Sequence, residues 1–521
     1  MYRSRFMGPL RICAGDGRLQ VQKLSFTKKD DASAFNTADI QGESTGASIG
    51  VTDQRIVITN AFGSDARVYT HSDEGGISIY SSLSDVMARH RPGISADSLL
   101  KDCLGVVEYE FGTLLENVST LPAGSTVEIH PDGGNIRLIY SADAFSDDVE
   151  QRDDIAETFE ATVESLIRNI EQPIVQLSGG TDSTAILLAA RAVKNPKNIL
   201  AVTWYDPNGS GHQDLQYSQN LCSRLGIRQE VITVDPSLLL SVPNAVELPP
   251  RVSTSMAFAE FLNYKFDLLK EKTSAKDICV LNGHGGDHLF FDQLPSSVLI
   301  DAFGQNGIAY ALRKAREYSR LYSISFPQIL GSLFRSVARR QYSNGYPLPF
   351  KRDLQMISSI GRGETSSRNK RIPAKGQHIR TIRRAVYENS LSIKPQHGVR
   401  VRHPFTEGRF LAACSRFPVH ELFNEKHTRL PFRESLLRRY NDTAILRSDK
   451  GQITSAFQRS LKLKRKWIAD LILNGVLARS GFLEEQAILN MIDTSSLGVG
   501  GFSSALLRII SAELLALSIY K

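Results

Sequence analysis

The sequence predicts an α/β protein, with an antiparallel, β-rich domain over residues 1–145 and a parallel α/β domain over 151–521 that closes in a helical region. Three observations predict it. Short β-branched runs broken by glycine pairs fill the first 145 residues. From Pro173 onward, apolar strand-length runs alternate with helices of about a dozen residues, which is the pattern of βαβ units. Residues 300–340 and 405–521 then read as helical. A chain of 521 residues has room for two or three domains and a full core.

In the first domain, 54–59 and 76–80 alternate as strands, and 125–130 runs into a Pro131-Asp132-Gly133-Gly134 turn. Acidic 146–150 reads as a linker into a helix at about 151–170. In the second domain, 174–177 is a short apolar strand, followed by a glycine turn and a helix over 183–193. A strand over 199–204, a helix near 214–225 and a strand over 230–234 come next, and 278–282 is a buried strand that ends in another glycine turn. Residues 342–378, rich in Gly, Ser, Pro and basic side chains, read as a mobile loop, and loops this long are more often functional than idle. No internal repeat is visible.

Hydrophobic residues at 41% and charged residues at 22% are ordinary for a soluble globular protein. No apolar run approaches the roughly 20 residues that span a bilayer. The start, Met1-Tyr2-Arg3-Ser4-Arg5, lacks the apolar stretch of a signal peptide. The expectation is a cytoplasmic protein without a membrane partner. Five cysteines, odd in number and without CxxC spacing, argue against a disulfide framework or a zinc site and read as reduced, mostly buried thiols. The net charge of +7 is modest, and basic residues cluster between Arg362 and Arg402. Such a patch could face nucleic acid, an acidic peptide or ATP phosphates, although a solvated loop and helix face accounts for it as well.

Two glycine turns carry the chemistry. Ser178-Gly179-Gly180-Thr181-Asp182-Ser183 joins a strand to a helix, which aims backbone N–H groups and a helix N-terminus at an anion. Gly179 and Gly180 permit the close approach a phosphate needs, Ser178 and Ser183 can donate to phosphate oxygens, and Asp182 can hold Mg²⁺. The plainer reading of the hexamer is a serine-capped turn. The second turn is Leu281-Asn282-Gly283-His284-Gly285-Gly286-Asp287-His288-Leu289-Phe290. Open α/β sheets bind ligands at the carboxyl ends of their strands, where both turns fall.

The first hexamer resembles the PP-loop of ATP pyrophosphatases, which cleave ATP between its α and β phosphates to adenylate a substrate. The second is similar to the Gly-x-Gly-Gly-Asp-Glu-Leu-Phe signature of asparagine synthetase-type domains. The resemblance implies ATP and Mg²⁺ as cofactors, with the loop residues and Gly283 binding the nucleotide and Asp182 and Asp287 holding the metal. The signature's usual glutamate is His288 here, and His284 stands at a variable position, where packing or turn geometry is an alternative role for either. Asp214-Leu215-Gln216-Tyr217 with Leu225-Gly226-Ile227, Arg402-His403-Pro404-Phe405, Leu430-Pro431 and Arg447-Ser448-Asp449-Lys450-Gly451 also resemble family segments. The last implies that Lys450 contacts ATP phosphates and stabilises charge in the transition state.

Residues 112–118 and Leu121-Pro122-Ala123-Gly124 resemble the end of the family's glutaminase domain. That domain depends on a nucleophilic cysteine at position 2, where this sequence has Tyr2, and Cys13 comes too late. A phenol does not replace a thiolate, so the first domain reads as a degenerate amidotransferase and the amine must come from elsewhere. Relatives with such a dead domain include β-lactam synthetases and lasso peptide cyclases. Histidine on both sides of Gly285-Gly286-Asp287 is most similar to the microcin-type cyclases. His284 in place of the β-lactam enzymes' dyad tyrosine counts against β-lactam formation.

The resemblance implies adenylation of an Asp or Glu side chain of a precursor peptide, then attack by its α-amine to close a macrolactam. Lys450, Asp287 and His284 would be catalytic, and a leader peptidase would be the partner that frees the amine. A tRNA-modifying PP-loop enzyme would also explain the basic charge, but the Gly-His-Gly-Gly-Asp motif does not suit one, so no nucleic-acid partner is expected. An amide ligase acting on a small amino acid, or a non-catalytic peptide- or nucleic-acid-binding scaffold, remains the alternative.

Overall fold

A computed structural model describes residues 10–15, 18–23, 47–51, 55–64, 66–74, 76–105, 111–132, 135–142, 154–209, 211–244, 246–273, 278–291, 294–329, 331, 350, 374–395, 399–447, 454–498 and 504–520. The N-terminal region contains β1 (Leu10–Gly15), β2 (Arg18–Lys23), β3 (Ala47–Val51), β4 (Ile56–Asn60), β5 (Tyr69–Asp73) and β6 (Gly76–Tyr80). After these come α1 (Leu83–His90), α2 (Ala96–Leu104), β7 (Val118–Thr120), β8 (Ser125–Asp132) and β9 (Asn135–Ala142). The strands form two antiparallel sheets, β2-β1-β6-β5-β7 and β3-β4-β8-β9. Alternation along each strand sends Ile12, Ile77 and Ile79 of the first sheet and Ile56, Ile58, Val127 and Ile129 of the second into one shared core.

The hairpin at 131–134 corrects the sequence expectation. Pro131 and Asp132 belong to β8, with Asp132 opposite Asn135, so they lie in the ladder rather than in a turn, and residues 133–134 lie outside the described residues. The linker expected at 146–150 lies outside the described residues.

The second domain opens with α3 (Ile155–Ile167), whose N-cap Asp154 accepts from the Ala156 and Glu157 amides. It continues through β10 (Pro173–Gln176), α4 (Thr181–Val193), β11 (Leu200–Tyr205), α5 (His212–Leu225) and β12 (Arg228–Thr233). Next are β13 (Val246–Glu247), α6 (Ala259–Lys272), β14 (Ile278–Leu281), α7 (Gly286–Leu289) and α8 (Val298–Tyr322). After α9 (Ala374–Ser390), β15 (Lys394–Pro395) and β16 (Val399–Arg402), the chain runs through α10 (Gly408–Ser415), α11 (Leu430–Tyr440) and α12 (Thr454–Leu463). It ends in α13 (Arg465–Leu473), α14 (Val476–Arg479), α15 (Glu485–Ser496) and α16 (Ser504–Tyr520).

Five strands form a wholly parallel sheet, ordered β12-β11-β10-β14-β16. Successive residues face opposite sides. Ile174, Leu200, Val202, Ile278 and Val280 point into one core, while Val175, Leu177, Ala201, Cys279 and Leu281 point into another. The second core is anchored by Phe159, whose ring lies 4.8 Å from those of Phe405 and Phe410, and by Phe290 stacked on Phe432. Residues 374–378, expected in a loop, open α9 instead. Its buried stripe, Ala374, His378, Ile382, Ala385 and Val386, has helical period, and the surrounding arginines obscured it. The rest of the proposed loop, apart from Phe350, lies outside the described residues.

The first core does not stop at the domain boundary. Tyr69, Tyr80, Leu83, Val86 and Leu99 join Leu506, Ile509, Leu514 and Leu515 of α16 in one cluster. Polar links reinforce the junction. Asp102 pairs with Arg251 at 2.6 Å, both almost wholly buried, and also accepts from the Val252 amide. Arg67 donates to the Leu248 and Ser392 carbonyls, and Leu114 N–H bonds Pro250 O at 2.9 Å. The segment around Leu114 is the one that resembles the end of a glutaminase domain, and it sits at this junction. Among the described residues, no helix is long and apolar enough to cross a membrane.

Candidate functional site

Neighbouring strands β10 and β14 run parallel, with Ile174 opposite Val280, so the turns that follow them lie side by side at the sheet's carboxyl edge. In the first turn Gly179 has φ +76°, which favours glycine, and a Cβ there would press on the Arg447 guanidinium at 2.7 Å and the Asp214 carbonyl at 3.3 Å. Gly180 is the N-cap of α4 and no side chain caps the helix itself, although serine hydroxyls brace the turn before it. Ser183 Oγ donates to Gly180 O at 3.1 Å and accepts from the Ser178 amide at 3.2 Å, and Ser178 Oγ lies 3.2 Å away. The two serines therefore shape the loop, and their hydroxyls reach a phosphate only by exchanging these partners.

The second turn folds onto the first. A Cβ at Gly283 would stand 3.0 Å from Asp182 Cβ, and one at Gly286 would overlap the Asp182 carboxylate. Gly285, at φ +96°, lets the turn pass against Thr406 and Phe405. Asn282 Oδ1 accepts from the His284 amide at 3.1 Å and lies 2.5 Å from His403 Nδ1, tying this turn to the end of β16. The histidine of the Arg-x-Pro-Phe-like segment thus belongs to the site.

Ser178, Gly180, Asp182, Ser183, Gly283, His284, Asp287 and His288 all line one cavity of about 450 Å³. Gln176, Thr181, Asn282, Glu388, Arg429, Arg433 and Arg447 complete its wall. Arg429 forms an ion pair with Asp182. Arg447 donates to Gly179 O at 3.0 Å, pairs with Asp214 and lies 4.5 Å over the Tyr217 ring. The acidic-x-x-Tyr and Arg-x-x-Lys segments, far apart in sequence, therefore meet at the loop. Lys450 itself lies outside the described residues, which resume at Thr454.

Histidines and carboxylates occupy the opposite wall. Burial pushes the Asp287 carboxyl upward, but the hydrogen bond from His288 and the charges of His288 and Arg429 outweigh it and hold it well below the usual range. The side chain is 54% exposed, so this anion faces the cavity. Burial pulls the His288 imidazole down, but Asp287 at 3.2 Å and Glu388 at 3.5 Å together raise its pKa. His284 is lowered by burial against a partial rise from Glu388, so it is held neutral. Its Nε2 lies 3.2 Å from Ala385 O, an acceptor only, which places the proton on Nε2 and leaves Nδ1 as the basic nitrogen.

Paired anionic oxygens from two strand ends suit a hard cation such as Mg²⁺. Asp182 is packed against the Gly286 backbone and paired with Arg429, and Asp287 is ionised, so the two carboxylates offer oxygens of the kind that ion takes once Arg429 yields its place. Glu388, Asn282, Arg429 and Arg433 were missed from sequence. Arg429 immediately precedes the quoted Leu430-Pro431, which was the available signal, whereas Glu388 sits mid-helix in α9 with nothing local to mark it. On that helix Arg384 is 72% exposed and pairs with Glu388 at 2.7 Å, while Lys375 donates to the Ser415 and Phe417 carbonyls. These contacts make part of the basic cluster a structural helix face.

The family model of asparagine synthase matches residues 154–517. Microcin J25-processing protein McjC of Escherichia coli is 23% identical over 349 residues, covering 65% of this chain and 59% of that protein. An NH(3)-dependent NAD(+) synthetase of Methanoregula boonei is 34% identical over 87 residues, 16% of this chain and 34% of that enzyme. The chain thus spans less than two thirds of either relative's length. Among solved structures, the U34-tRNA thiolase NcsA from Methanococcus maripaludis with its 4Fe-4S cluster aligns at 11% identity over 44% of this chain and 80% of that one. Its TM-score of 0.20 carries no argument.

Proposed function

The chain belongs to the asparagine synthase family, and from that premise we propose that it is an ATP-dependent, AMP-forming amide ligase that closes a macrolactam in a precursor peptide. One observation carries the reading. The glycine loop, the two carboxylates and a neutral histidine backed by Glu388 line a single cavity at the sheet's carboxyl edge.

In this reading a side-chain carboxylate of the peptide attacks the α-phosphorus of ATP, forming an acyl-adenylate and releasing pyrophosphate. Asp182 and Asp287 would hold Mg²⁺, which supplies positive charge to the polyphosphate. The uncapped start of α4 aims N–H groups at the same oxygens, with Arg429 and Lys450 adding cationic charge. The peptide's α-amine then attacks the acyl carbon, the amide C–N bond forms and AMP leaves. Nδ1 of His284 takes the amine's proton, and Glu388 stabilises the imidazolium that results. An α-amine titrates near about 8, so the base shifts only a modest equilibrium.

In this reading the amine is supplied by the substrate rather than by glutamine-derived ammonia. A leader peptidase is the partner proposed to expose that amine, and the likeness to a microcin-processing protein supports a peptide substrate. Closing a ring of about eight residues costs on the order of 2 kcal/mol in its length-dependent part, so holding the peptide tail threaded is the harder task.

The test is mass spectrometry of a lasso-type precursor incubated with the protein, MgATP and a leader peptidase. The expected product is lighter by one water, forms with AMP, and is absent with Asp182→Ala. AMP formed only with a small amino acid would sink the peptide reading and leave the ligase. No AMP with any substrate would sink both.

A further inference from the structure

Among the described residues, one group of three His, Cys, Asp or Glu side chains brings a ligand atom from each within 4.8 Å of the others: His71, Asp73 and His90. None belongs to the cavity described above. His71 and Asp73 stand two apart on β5, so they leave the same face of the strand, the face that carries Tyr69 toward α1. His90 is the last residue of α1, where the carbonyl end of the helix carries partial negative charge and favours a cation. The two imidazoles stack with centroids 3.7 Å apart and planes 16° from parallel.

We propose that His71, Asp73 and His90 bind a divalent transition-metal ion of the zinc type, independently of Mg²⁺ at the ligase site. Two imidazole nitrogens and one carboxylate oxygen form a borderline donor set, which suits zinc with a fourth position left to water and suits Mg²⁺ poorly. The Tyr80 hydroxyl lies 2.6 Å from His90 Nε2. Where it accepts from an Nε2–H, it selects the tautomer that leaves Nδ1 for the ion, filling the outer place that a carboxylate, carbonyl or water takes beside other ligating histidines. Zinc–ligand bonds of about 2.0–2.1 Å bring ligand atoms to roughly 3.3 Å apart, and the in-plane lone pairs of the stacked rings run nearly parallel, so binding requires the two rings to open by some tens of degrees. The bound ion would clamp α1 to β5, beneath the core shared with the synthetase domain.

The experiment strips the full chain with chelator and titrates Zn²⁺ against a chromophoric competitor, with Co²⁺ absorption reporting geometry. One zinc per chain is expected, unaffected by excess Mg²⁺, with an intense tetrahedral Co²⁺ spectrum and a raised melting temperature. Asp73→Asn, at an exposed side chain, is expected to weaken binding at least about tenfold while leaving the circular dichroism unchanged. His71→Ala/His90→Ala together should abolish binding. Substoichiometric zinc, or equal affinity in wild type and Asp73→Asn, would overturn the proposal even if the double variant does not fold. Zinc binding is read without ATP turnover, so the result is independent of the ligase reading.

Discussion

The domain junction and the carboxyl edge of the parallel sheet are both built from buried or half-buried charge, yet they do opposite things with it. At the junction, Asp102 meets Arg251 and the Val252 amide, and Arg67 meets two carbonyls and Glu247. Partners on the far domain complete each set. At the sheet edge, Asp287, His284 and Glu388 share one open cavity, and their mutual shifts leave an ionised carboxylate and a neutral imidazole facing it. Charge whose partners are all protein holds a fold together. Charge arranged around a cavity is available to a ligand.

That contrast is most exposed to failure at the junction. Asp102→Ala strands Arg251 and should cost about 3–5 kcal/mol in denaturant unfolding, whereas replacing both partners with apolar residues of similar volume should cost far less. A loss below about 1 kcal/mol for the single variant would mean the junction is not held this way. At the cavity, Asp287→Ala should lower the rate of AMP formation by about 10²–10³, or some 3–4 kcal/mol, with little change in stability. Loss of stability instead would make Asp287 a structural anion like Asp102.

Glu388→Gln gives a finer reading. A base must be deprotonated, so kcat/KM falls as pH drops through its pKa. With His284 lowered by burial, the acidic limb should lie below the ordinary imidazole value. Removing the Glu388 charge, which raises His284, should move that limb further down. A limb that stays in place would exclude His284 as the base. Least affected should be Arg168→Ala, whose exposed pair with Glu164 at 3.6 Å should contribute less than about 0.5 kcal/mol to unfolding.

What the sequence made legible were features with local causes. Strand alternation and the glycine turns place β6, β10, β11, β12 and β14 to within a residue or two, because period and backbone freedom are written in adjacent residues. Asp182, Asp287 and His284 could be named because they stand in glycine turns that resemble family motifs, and the structure gathers them in one cavity. Glu388 and Arg429 were not legible, since their places depend on α9 and α11 packing back over the sheet. Pro131 misled because proline usually marks a turn, yet β8 carries it near its end. The opening of α9 was misread because its basic side chains hid a narrow apolar stripe.

The helix α16 has a consequence for biosynthesis. It packs on residues of the N-terminal domain that leave the ribosome some four hundred positions earlier, such as Cys103, whose thiol lies 3.9 Å from Arg508 O. Until α16 emerges, the apolar side of α2 lacks a large part of its cover, and the nascent chain carries that exposed surface through most of its translation. Proteins of this size already populate aggregation-prone intermediates. Removal of α16 should therefore lower the soluble yield of the whole chain, even though the helix contributes no residue to the ligase cavity.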